Sequence, residues 1–94
     1  MTEPRQPDLA IALEYDGASA PRVTAKGRGE VAQAILHTAR EHGVEIEENA
    51  ILAQALSAVP LDDHIPEELY RAVAQVIAFV LALRGEMTVR NRTS

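Results

Sequence analysis

The residues of this chain that could ligate a metal, move a proton or hold an anion are few, and their spacing is permissive rather than specific. His37 and Glu41 stand four apart, one turn of a helix, so both can share a face. His42 and His64 would have to converge on them before a metal ion had a usable set of protein ligands. Asp62-Asp63-His64 puts carboxylates next to an imidazole, the pieces of acid-base chemistry. No serine or lysine stands in a known relation to them, and adjacent loop residues rarely aim at one point. Gly27-Arg28-Gly29 precedes a helical pattern, where free backbone amides can hold an anion. It lacks the third glycine of a dinucleotide loop and the Gly-Lys-Ser/Thr ending of a triphosphate loop, and a strand-to-helix turn that needs permissive dihedrals accounts for both glycines. Glu45, Glu47 and Glu48 form an acidic run that suits an exposed strand edge and turn. A small metal-binding or hydrolytic protein using His37, Glu41 and His64 is the alternative these residues keep open.

The composition narrows the classes further. Ninety-four residues suffice for one domain and one core. A hydrophobic share of 47 % against a charged share of 24 % is that of an ordinary globular protein. The absence of cysteine rules out a disulfide scaffold and thiolate chemistry. A net charge of −5 argues against a duplex-binding module, and two tyrosines with one phenylalanine make a poor platform for stacked bases. Met1 to Asp8 carry charges and prolines with no apolar stretch, so they read as a flexible segment and as neither signal nor anchor. The longest apolar run, Val76 to Leu83, is far below the ~20 residues that cross a bilayer. A cytoplasmic protein without cofactors is expected.

The elements that would position these residues follow from periodicity. Leu9, Ile11, Leu13 and Tyr15 alternate with Ala10, Ala12 and Glu14, a strand with one bulky and one small face. Asp16 to Pro21 is rich in turn formers, and Val23 and Ala25 then alternate with Arg22, Thr24 and Lys26 as a second strand. Helical spacing runs from Val31 to His42, with Gly43 placed for a left-handed cap. Val44 and Ile46 alternate with Glu45 and Glu47, and Asn49 is placed to cap a short helix over 50–58. Pro66 with Glu67 and Glu68 starts a last helix, whose apolar stripe runs from Leu69 to Leu83. That stripe is wide: Ala74, Ile77, Ala78 and Leu81 extend it around the rod, as core or as a seam for a partner. Residues 85–94 read as a flexible polar tail. This order predicts an α+β domain over 9–84, a mixed sheet with about three helices. Its first two strands are expected antiparallel, and the second and third parallel across a right-handed crossover.

Taken in order, Leu9-Ala-Ile-Ala-Leu-Glu-Tyr15, Ala20-Pro-Arg-Val-Thr-Ala-Lys-Gly27, Ala39-Arg-Glu-His-Gly-Val44, Leu52-Ala-Gln-Ala-Leu56 and Ile65-Pro-Glu-Glu-Leu-Tyr-Arg-Ala-Val-Ala74 resemble the cytoplasmic C-terminal domain of FlhB, the export switch protein of flagellar type III secretion. The resemblance spans residues 9–84. In that family the domain follows four membrane helices and a linker, and cuts itself at an Asn-Pro-Thr-His turn before the strand that matches residues 9–15. Here the turn falls on Arg5-Gln6-Pro7-Asp8, which lacks the asparagine whose side chain closes on its own carbonyl, so self-cleavage is not expected.

The resemblance also implies partners and a site. The strand that pairs with residues 9–15 in the family lies before the cut, so a bare edge is expected along Leu9 to Tyr15, open to strand addition by the membrane part of an FlhB protein. The family's small apolar docking patch for export substrates maps onto Ala20, Pro21, Ala74 and Ile77, all apolar here and suited to a short hydrophobic signal of rod or hook subunits. Lys26 matches the lysine of the family's Ala-Lys-Gly segment, with a structural or surface role. What the resemblance implies is a non-enzymatic adaptor at the inner face of the export apparatus, meeting the export gate and its substrates.

Overall fold

A computed structural model describes residues 8–82 and 85–91. β1 (Leu9–Glu14) and β2 (Arg22–Arg28) form an antiparallel pair. Asp16 shapes the turn between them, its Oδ1 accepting the backbone N–H of Ala18 at 2.8 Å and of Ser19 at 3.0 Å. α1 (Glu30–Glu41) leads to β3 (Glu45–Glu48), α2 (Ala50–Leu56), α3 (Glu67–Leu81) and β4 (Glu86–Arg90). The four strands lie in the order β2-β1-β4-β3, with β4 antiparallel to β1 and parallel to β3. The α+β class and mixed sheet are as expected. β2 and β3 do point the same way, but from opposite edges of the sheet.

β4 corrects the reading of residues 85–94 as a flexible tail. Glu86, Thr88 and Arg90 alternate with Met87 and Val89, and both apolar side chains are buried in the core. Two apolar residues in a five-residue run are too short a signal beside the long stripe of α3. Gly85, at φ +74, makes the bend that frees the chain from the helix, and Tyr15 donates its N–H to the Gly85 carbonyl at 3.0 Å. Residues 83–84 and 92–94, the rest of that segment, lie outside the described residues, as do residues 1–7 of the expected N-terminal segment.

The same strand overturns the expected bare edge of β1. Ile11 faces Lys26 on one side and Val89 on the other, so both edges of β1 are paired within the chain and strand addition there is closed. Arg90 secures the far end of the ladder, with Nη2 3.6 Å from Asp8 and Nη1 3.4 Å from Glu48.

The two faces of the sheet are covered differently. The alternation of β1 sends Leu9, Ile11 and Leu13 to one side, where with Val23, Met87 and Val89 they pack on Leu52 and Leu56 of α2 and Val73, Ile77 and Val80 of α3. The small face of β1 lets α1 approach closely, and Ala10 packs with Ala32 and Leu36. A Cβ on Gly27 would lie 2.1 Å from Val31 Cγ1, so only glycine fits under the first turn of α1. The caps behave as the sequence suggests. Gly43 has φ +68, and Asn49 Oδ1 accepts the Leu52 N–H at 3.0 Å.

Lys26 has a structural place. It lies opposite Ile11 in the ladder, and its Nζ donates to the carbonyls of Ser57 at 3.1 Å and Val59 at 2.8 Å. These carbonyls follow the end of α2, where the negative end of the helix dipole favours a cation.

Candidate partner-binding site

Ala74 and Ile77 are one turn apart on α3, and Ala20 and Pro21 sit together ahead of β2. Two contacts fasten those regions to each other. Pro21 O accepts the Ile65 N–H at 2.8 Å, just before α3, and Tyr15 OH meets Tyr70 OH at 2.9 Å, one turn before Ala74. The four residues differ in access. Ala20 and Ala74 are half-buried, whereas Pro21 and Ile77 are buried and act as support rather than surface. Ala20 also borders a hollow of about 50 Å³ with Glu14, Asp16, Ser19, Arg22 and His64. Arg22 Nη2 stands 2.6 Å from Glu14 Oε1, and that carboxylate raises the guanidinium's already high pKa. Both groups are exposed, so the pair contributes little stability.

The phenol pair offers a direct check on this region. The hydrogen bond to Tyr70 is the main cause holding the Tyr15 phenol above its ordinary value of about 10. A phenol whose folded pKa is raised stabilises the fold fully below its unfolded value, and that contribution disappears as pH climbs through the folded one. With two tyrosines and no tryptophan in the chain, tyrosinate absorbance follows these groups alone. We expect the Tyr15 phenol to titrate above its ordinary value in the folded protein and to move back toward that value in Tyr70→Phe. An unchanged titration in that variant would show that the bond does not form in solution.

The residues considered for chemistry do not assemble. His37 Nε2 lies 3.3 Å from Glu41 Oε2, as helical spacing anticipates, but the side chains are 72 % and 60 % exposed. His64 is exposed in the loop that bridges to Arg22. His42 Nδ1 is 2.9 Å from the Thr38 carbonyl. Among the described residues no three His, Asp or Glu side chains gather where a metal could sit. The glycine turn is occupied too: Gly29 donates its N–H to the Asp8 carbonyl at 2.9 Å, and Gln33 binds the Asp8 carboxylate. A carboxylate at that helix start is unfavourable to an incoming anion.

One feature escaped the sequence reading. On the α1 side of the sheet a groove of about 600 Å³ runs between the helix and the strands, lined by Ala12, Thr24, Ala25, Val31, Ala34, Ile35, Thr38 and Thr88 among others. Its signal in the sequence was the breadth of the apolar arc of α1, where Val31, Ala34 and Ile35 stand outside the buried line of Ala32, Leu36 and Ala39.

The fold and this chain's residues can be set beside known proteins. The sequence profile of the FlhB HrpN YscU SpaS family matches residues 3–80. The chain belongs to that family. The crystal structure of the cytoplasmic domain of FlhB from Shewanella putrefaciens superposes with a TM-score of 0.75 at 43 % identity, over 83 % of this chain and 68 % of that one. The FlhB family also contributes the flagellar biosynthetic protein FlhB of Helicobacter pylori, 47 % identical over 79 residues, or 82 % of this chain and 22 % of that protein. The FlhB of Bacillus subtilis is 42 % identical over 74 residues, 76 % of this chain and 21 % of that protein. The chain thus spans about a fifth of these FlhB proteins. It matches the protein YlqH of Bacillus subtilis along most of both, at 40 % identity over 88 % of this chain and 89 % of that one.

Proposed function

We propose that this family member is a non-enzymatic component of flagellar or type III protein export, equivalent to the cytoplasmic C-terminal fragment of the switch protein. The observation that carries the reading is the 43 % identity and shared fold with the FlhB cytoplasmic domain. Ala20 and Ala74 offer the small apolar surface for a hydrophobic export signal, with Pro21 and Ile77 stiffening it from beneath. The partners in this reading are the export gate, the membrane part of FlhB and rod or hook subunits, met at the inner face of the membrane. The described residues contain no helix long and apolar enough to cross a membrane, which agrees with a role alongside a membrane-bound partner. Since β1 is paired on both edges, docking on FlhB does not add a strand at Leu9 to Glu14 and uses other surfaces of the domain.

The test is expression in cells whose FlhB ends at the cut and so lacks only its own C-terminal fragment. Restored filament growth is expected, and its absence at normal protein levels would remove the proposed role. Ala74→Asp should weaken capture of hook subunits about tenfold or more, since one carboxylate in an apolar contact costs at least ~1.4 kcal/mol. An unchanged capture with the fold intact would move the site elsewhere.

A further inference from the structure

Four strands spaced about 4.8 Å apart present a surface roughly 15–19 Å across, and packed helices stand about 8–10 Å apart, so each face of this sheet has room for two helices. One face has both, α2 and α3. The other has α1 alone among the described residues, lying mainly over β2 and β1. α1 leaves β2 at one edge and delivers the chain to β3 at the other, so it crosses the sheet on a diagonal and leaves a corner uncovered. The groove of about 600 Å³ is that corner.

Its construction suits a helix more than an extended segment. The floor is the flat of the sheet, built from small side chains such as Ala12, Ala25 and Thr88, so a helix axis can come close and seat large side chains. The wall is the flank of α1 from Val31 to His42, about 16 Å or three turns at 1.5 Å per residue. Val31 on that wall is 55 % exposed, an apolar side chain left in water that a second helix would cover. Glu14 and Glu86 stand at the groove, and Arg22 answers only the first of them in an ion pair. With a net charge of −5 over the chain, the groove favours a cationic visitor.

We propose that this corner seats an amphipathic helix of a partner protein, with large apolar residues on one face and lysine or arginine beside them. The inference does not depend on the export reading, because it rests on the unfilled half of a sheet face and on the charge at its rim.

The experiment is an amide NMR titration of the whole chain with a synthetic helical peptide of about 15 residues, four turns, carrying leucines on one face and lysines on the other. Amide shifts should concentrate at Thr24, Val31, Ala34, Thr38 and Thr88. Ala34→Arg and Thr24→Arg, both at exposed positions, should each weaken binding about tenfold or more, whereas Ala72→Arg on the exposed side of α3 adds the same charge and should change it less than about twofold. A peptide with glutamate for lysine should bind about tenfold more weakly or worse. Shifts confined to the exposed side of α3 around Phe79, shifts scattered over carboxylates alone, or equal losses in all three arginine variants would overturn the proposal.

Discussion

A chain stopped after Gly85 is expected not to fold. The cut removes β4, and with it both the ladder on β1 and the sole sheet partner of β3 among the described residues. Met87 and Val89 leave the core as well. Each such side chain contributes about 1.5–3 kcal/mol by burial, and each lost ladder bond about 0.5–1.5 kcal/mol net. Against a total stability of roughly 5–15 kcal/mol for a domain of this kind, those losses match or exceed what is available. The shortened chain should show collapsed amide dispersion and no cooperative thermal transition by circular dichroism. A transition within a few degrees of the full chain's would mean that β4 is an ornament on a domain already complete over residues 9–84.

Ile11→Ala and Ile51→Ala make the same chemical change and should give opposite results. Ile11 is 0 % exposed at the centre of the sheet, flanked by Lys26 and Val89 and facing α2 and α3. Its truncation removes buried methyl groups and leaves a cavity that paired strands on both sides cannot close, for an expected loss of about 3–5 kcal/mol. Ile51 is 84 % exposed on the first turn of α2. Its truncation should fall within about 0.5 kcal/mol of zero, and the better helix propensity of alanine pushes it toward stabilisation. Urea midpoints of the two variants decide the matter. A comparable loss in Ile51→Ala would mean that the outer side of α2 is covered in solution, by a partner or a second copy.

Most of the architecture was legible because its signals are local. The alternation of Leu9, Ile11 and Leu13, the cap at Asn49, the turn at Gly43 and the stripe of α3 each depend on neighbours a few residues away. β4 was not legible, because Met87 and Val89 make only one period of alternation and their partners Leu13 and Ile11 lie more than seventy residues earlier. The site divided in the same way. Spacing alone anticipated the contact of His37 with Glu41, yet the isolation of His64 from them depends on how the chain folds back. Family likeness pointed to Ala20, Pro21, Ala74 and Ile77. Only the packing separates half-exposed Ala20 and Ala74 from buried Pro21 and Ile77. The groove beside α1 arises from the angle at which a helix crosses a sheet; the broad apolar arc of α1 marks its wall, but no window of residues encodes the angle.

The strand order β2-β1-β4-β3 also bears on how the molecule is made. As the ribosome releases the chain, the first hairpin emerges early, but the piece that joins it to β3 is the last of the strands to appear. Until then the nascent polypeptide presents an incomplete ribbon with an inviting margin, which is the condition for mispairing between neighbouring chains on a polysome. Completion of the sheet therefore waits on long-range closure, a step that topology slows, and a chaperone that shields the Leu9 to Leu13 segment during synthesis should raise the yield of folded protein.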